Sequence, residues 1–179
     1  MIRSLFFLAL ITQPAFARDL TVFLEENGGV RHEIATLSIA AEQTYSVDIS
    51  AQSFTDHFLS MRPFKCLEGP DKHWCHVPYP YEIKRDISVD LIDLEYDFLF
   101  LWKGATDYGI DTWNGVYYWL EPHGDGWIGH MHEINLGDLG IPPEDGNLRP
   151  IRARDLLETE PGVHWLPRLV IEPATGETA

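Results

Sequence analysis

The sequence is short of positive charge. Thirteen Lys and Arg stand against 28 Asp and Glu, a formal charge of −15. Phosphate backbones and anionic membrane surfaces repel such a chain, which removes nucleic acid from its expected partners. Cysteine is nearly absent too: there are only Cys66 and Cys75. Without a second pair or a Cys-x-x-Cys step, thiol–disulfide exchange has no basis. No Gly-x-Ser-x-Gly, no His-Glu-x-x-His and no phosphate-cradling glycine loop occurs. Internal repeats and low-complexity segments are missing, which excludes a solenoid.

Long apolar runs are also missing, except at the start. Arg3 supplies a positive charge, residues 5–11 are unbroken apolar, and Pro14-Ala15-Phe16-Ala17 ends in a small-x-small step. That order reads as a secretory signal peptide cleaved after Ala17. The run is too short for a membrane span, which takes about 20 residues. No cysteine follows it to carry a lipid, and the last residues are polar. The expected organisation is a signal peptide over 1–17, one β-rich domain over 18–172 and a polar tail over 173–179. The expected location is secreted or periplasmic, with no membrane anchor. Loss of Arg3 takes the formal charge to −16. In an oxidising compartment Cys66 and Cys75 are expected to bond to each other, and the short loop is worth about 2–3 kcal/mol by chain entropy. A metal site from Cys66, His73, Cys75 and His76 is the less favoured use of the same residues.

What is present is mostly strand signal. Residues 20–24, 32–39 and 45–49 are short and apolar or alternating, and Asn27-Gly28 marks a tight turn. Residues 54–67 read as mostly extended. Residues 94–102 read as a central strand, with Leu94, Tyr96, Phe98, Phe100 and Trp102 on one face. Residues 113–121 and 127–134 form a hairpin around Pro122–Gly126. Residues 153–160 allow one or two helical turns, and 166–171 form a closing strand. The expected fold is mainly β: an antiparallel β-sandwich or small barrel of about seven to nine strands with short helical turns.

Several constellations carry chemistry. His130 and His132 sit two apart on a strand and point the same way. With His123 in the preceding turn, or Glu133 as a carboxylate, they offer a zinc site. On a solvated face the same pair is ordinary surface. The aromatic group Trp102, Trp113, Tyr117, Tyr118, Trp119 and Trp127 offers stacking faces, of which Trp113, Tyr117 and Trp119 are the expected ligand-binding set. The plain alternative is cross-strand packing. Asp107, Asp111 and Asn114 place oxygens on one loop, which suits calcium or simple turn hydrogen bonds. Asp90, Asp93, Glu95 and Asp97 offer an acid/base couple or an exposed edge.

The leading expectation is an exported, non-enzymatic binding or interaction domain for a small molecule, a glycan or an envelope protein, with no cofactor. One alternative is a metal-dependent hydrolase at His123, His130 and His132, in which zinc-bound water is the nucleophile. The other is a structural or assembly factor without a ligand.

Overall fold

The computed structural model describes residues 17–60, 62–142 and 147–174. Residues 1–16 of the expected signal peptide over 1–17, and the last five residues of the polar tail, lie outside these. Eleven strands form one antiparallel sheet: β1 (Arg18–Glu25), β2 (Arg31–Ile39), β3 (Tyr45–Ile49), β4 (Thr55–Phe58), β5 (Pro63–Glu68), β6 (Lys72–His76), β7 (Phe100–Gly104), β8 (Gly115–His123), β9 (Gly126–Ile134), β10 (Leu157–Glu158) and β11 (Arg168–Pro173). Their order is β3-β2-β1-β11-β9-β8-β7-β6-β5-β4, with β10 continuing the β11 edge of β9. The sheet is not closed. Among the described residues no helix is long and apolar enough to cross a membrane. The count exceeds the expected seven to nine. β6 carries Lys72, His73 and His76, which hide its alternation, and β10 is only two residues long.

The sheet has to curl. Ten strands laid flat would place β3 and β4 roughly 43 Å apart at normal strand spacing. Yet β3 and β4 are consecutive in the chain, and residues 50–54 can span only about 20 Å. Curling turns one face inward as the core. Leu20, Val22 and Leu24 of β1 meet Ile34 and Leu37 of β2, Trp74 of β6, Phe100 of β7, Tyr118 of β8 and Leu169 of β11. The Trp74 indole donates to the Tyr118 hydroxyl at 3.1 Å, and that hydroxyl donates to the Leu166 carbonyl at 2.8 Å. Both polar groups are thereby satisfied inside the core, as burial requires. A second cluster lies on the outer face around Tyr96, Leu99, Leu101, Tyr117, Ile134 and Leu136.

The expected strand over 94–102 is overturned at its first half. Ile92–Asp97 is a short helix, α1, and only Phe100–Gly104 is strand. An unbroken apolar run fits a period of two or of 3.6 equally well. Two packing layers decide it. Leu94 and Phe98, four apart, enter the inner core, while Tyr96 and Leu99 enter the outer cluster. The Asp90 carboxylate accepts from the Ile92 N–H at 3.0 Å and starts the turn.

Cys66 and Cys75 are disulfide-bonded, as expected. They stand directly opposite each other on β5 and β6, which brings their Cα atoms to 3.9 Å. That is closer than the 4.4–6.8 Å usual for a disulfide. The hairpin of β8 and β9 is also as read, with its strands one or two residues shifted. Its loop tightens to Gly124-Asp125 between the last pair His123 and Gly126. Gly124 takes φ 57°, the conformation a two-residue hairpin loop demands at its first position.

Candidate functional site

A cleft opens where β9 changes partners. Along one edge, residues 127–130 of β9 pair with β11, and His132 and Glu133 pair with β10. The intervening chain, 159–167, leaves the sheet and returns, tied back by the Met131 N–H to the Pro167 carbonyl at 3.1 Å. Pro161 and Gly162 make the excursion, with Gly162 at φ 82°. The cleft has a volume of about 370 Å³ and is lined by Asn27, His130, His132, Glu158, Glu160, His164 and Arg168 among others.

Alternation puts His130 and His132 on the outer face of β9, while Gly129 and Met131 are buried on the inner face. In register, His130 lies between Trp119 of β8 and Arg168 of β11, and His132 between Tyr117 of β8 and Glu158 of β10. Nδ1 of His132 donates to the carbonyl of His130 at 3.0 Å, which fixes Nδ1 as the protonated nitrogen of the neutral ring. The His130 ring and the Glu158 carboxylate are exposed and make no hydrogen bond among the described residues. Arg168 is held away from them by Glu25, Nε to Oε1 at 2.7 Å.

At the inner margin sits His164, only 4 % exposed, with Nε2 2.9 Å from the Glu133 carboxylate. The rings of Trp74 and Trp102 flank it at 5.9 and 5.6 Å. Burial, with the Lys72 ammonium nearby, pushes the His164 pKa down against the pull of Glu133, so the imidazole is neutral at physiological pH. Its Nδ1 and the neighbouring Trp102 Nε1 are buried without a hydrogen-bond partner. Glu133 therefore faces inward to His164 rather than toward His130 and His132.

The other expected site residues are dispersed. His123 is at the far end of β8, four residues beyond the Trp119 that faces His130, which is about 13 Å along the strand. It does not join the His130–His132 pair. Among the described residues no three His, Cys, Asp or Glu side chains converge on one point. Of the aromatic set, Tyr117 is buried, with its hydroxyl donated to Glu95. Trp119 is 41 % exposed beside His130 and His132, its ring 6.4 Å from that of His132. Trp113, 68 % exposed, rises from a 3-10 turn at Thr112–Asn114. It walls a second groove of about 250 Å³ with Ile134, Leu139, Ile151 and Leu157. Leu157 and Glu158 are neighbours on β10, so the apolar groove and the polar cleft adjoin across that strand.

The loop acids are turn formers. Asp107 accepts from the Gly104 N–H at 3.1 Å and Asp111 from the Trp113 N–H at 3.0 Å. The acids of 90–97 are committed as well. Asp93 accepts from Arg149 Nε at 2.7 Å and from the Arg85 N–H at 2.9 Å. Asp90 holds the same guanidinium, and Asp97 pairs with Arg85 and the Tyr45 hydroxyl. Glu95 accepts from Tyr117 and from the Leu120 N–H, and burial raises its pKa above the ordinary value. Of the cysteine-centred alternative, the disulfide consumes both thiols, and Nε2 of His76 donates to the Asp97 carbonyl at 2.9 Å.

Sequence reasoning missed Glu158 and His164. Neither stands in a periodic segment, and only the strand register reveals them. Comparison of the chain with family models, curated proteins and solved structures finds no match.

Proposed function

We propose that the protein is an exported, non-enzymatic binding module for a neutral, hydroxyl-rich small molecule of the glycan class. The observation that carries this reading is the pair of concavities flanking β10, one apolar and walled by the exposed Trp113 ring, the other polar, with the exposed Trp119 paired across the strand from its lining residue His130. Large aromatic rings left in water are costly, and a ligand that stacks on them recovers that burial while nearby polar groups fix its orientation. The imidazoles of His130 and His132 and the carboxylates of Glu158 and Glu160 present donors and acceptors to the cleft, and the acids disfavour an anionic ligand. A hydroxylated ligand satisfies both kinds. The disulfide accords with an oxidising compartment, and the first seventeen residues with export.

The test is calorimetric titration of the purified protein with cellohexaose, maltohexaose and chitohexaose. Saturable binding to at least one, weakened at least tenfold in Trp113→Ala or Trp119→Ala, is expected, with the sugar recovered uncleaved. Absence of binding across the panel overturns the glycan class. Cleavage of the bound sugar overturns the non-enzymatic reading.

A further inference from the structure

We propose that the cleft is also a site for a divalent transition-metal ion of the zinc class, held by His130, His132 and Glu158. Two features put these groups on one face, and a third orients one of them. Strand alternation sends both imidazoles to the outer face. The antiparallel register sets Glu158 directly opposite His132, so their side chains share that face with Cβ atoms about 5 Å apart. The hydrogen bond from His132 Nδ1 to the His130 carbonyl fixes the tautomer a metal needs, with Nε2 unprotonated and aimed by a backbone acceptor. Metal-ligating imidazoles are oriented by this kind of bond.

The other two ligands are uncommitted. Among the described residues the His130 ring and the Glu158 carboxylate make no hydrogen bond, and both are exposed. The three groups do not meet on one point as the side chains now stand. Binding of the ion requires the exposed side chains of His130 and Glu158 to rotate toward the half-buried His132. Two imidazoles and one carboxylate suit zinc and leave its fourth position open. The local charge is favourable. Arg168, the nearest cation in register, is neutralised by Glu25, Glu160 lines the same cleft, and the whole chain carries −15. Glu158 takes the role that the sequence offered to His123 or Glu133. The first of these stands at the wrong end of the hairpin, and the second faces His164. The His130 and His132 imidazoles serve both readings, but zinc binding is measured without sugar, so either reading can fail alone.

Titration of the tag-free, EDTA-dialysed protein with zinc chloride at pH 7.5 tests it. One ion per chain is expected. His130→Ala and His132→Phe, the latter keeping the ring volume, each weaken binding by at least about 100-fold, the upper range for losing even a partner of a ligand. Glu158→Gln weakens it about tenfold at the lower end of that range, and Asp125→Asn, in the exposed turn at the far end of the hairpin, leaves it unchanged. X-ray absorption should show imidazole nitrogens at about 2.0–2.1 Å. Absence of saturable zinc binding overturns the proposal. So does stoichiometric binding that survives the His130→Ala, His132→Phe double variant, or loss in Asp125→Asn with Glu158→Gln silent. Unfolding of each apo variant is followed in parallel, so a folding defect is seen as such, and His130→Gln then replaces any variant that fails to fold.

Discussion

Two acid-rich regions of this molecule use their polar groups in opposite ways. Around α1, the carboxylates of Asp90, Asp93, Glu95 and Asp97 are all engaged, by Arg149, Arg85, two tyrosine hydroxyls and backbone N–H groups. Asp93 is 1 % exposed and cannot be left charged without its partners. In the β9 cleft, Glu158, His130 and the Nε2 of His132 are committed to nothing inside the fold. Charge density along the chain does not separate the two regions; hydrogen-bond satisfaction does. Satisfied polar groups hold α1 between the two apolar clusters, and unsatisfied ones at an open concavity are available to a ligand.

The comparison is broken most strongly at Arg149. It holds Asp90 and Asp93 at once and pins residues 147–151 over the helix. Arg149→Ala leaves the Asp93 carboxylate buried with one backbone donor. Breaking a buried pair from one side costs about 3 kcal/mol or more. For a chain of this size that lowers Tm on the order of 10 °C. Zinc or oligosaccharide affinity of the folded fraction should not change. A melting curve within 2 °C of the parent's, an error margin below the roughly 2–4 °C expected per kcal/mol, would show that the acids of α1 are not structural.

These two regions were not equally legible in the sequence. The hairpin of β8 and β9 was readable, because its strands alternate and a Gly-Asp-Gly turn sits between them. The disulfide followed from the lone pair of cysteines. The helix was not readable, since the run from Leu94 to Trp102 satisfies both periods and only the two packing layers choose between them. Asp90, whose carboxylate accepts from the Ile92 N–H, is a cue to the helix start, but the apolar run after it fits a strand equally well. For the site, the pattern revealed that His130 and His132 share a face, but not their third neighbour. Glu158 lies 26 positions further on, in a two-residue strand, and nothing local announces the pairing.

A smaller effect is expected from pH, and it falls on the buried imidazoles. Burial lowers the pKa of His76, His164 and His73 below the ordinary 6.5. As pH falls through 6.5 the unfolded chain takes up protons before the folded one does. Stability is therefore complete above that pH and is lost on acidification toward the lowered folded values. Glu95 acts in the other direction. Its raised pKa adds stability below 4.5, and that gain disappears as pH rises through the folded value. Between pH 7.5 and 5.5 the histidines dominate, and Tm should fall. His164→Gln and His76→Gln should each flatten the decline. A higher Tm at pH 5.5 than at 7.5 would contradict the burial of neutral imidazoles.

The smallest effect on stability, and the sharpest on binding, is expected in the cleft itself. His130, Glu158 and Trp119 contribute no internal hydrogen bond from their side chains and are exposed or partly exposed, so each is replaceable within about 0.5 kcal/mol. Their ligand effects should then separate. Trp119→Ala removes a stacking face but no metal donor, so oligosaccharide affinity falls while zinc affinity holds. Glu158→Gln removes a metal charge but keeps a hydrogen-bonding side chain of the same shape, so zinc affinity falls while sugar affinity holds. Paired titrations of both variants against both ligands, with melting curves alongside, measure this directly. If either substitution lowers Tm as Arg149→Ala does, the cleft is part of the scaffold and the contrast with α1 disappears. If the melting curves stay together and the two affinities move apart, the cleft residues answer to ligands and the α1 residues to the fold.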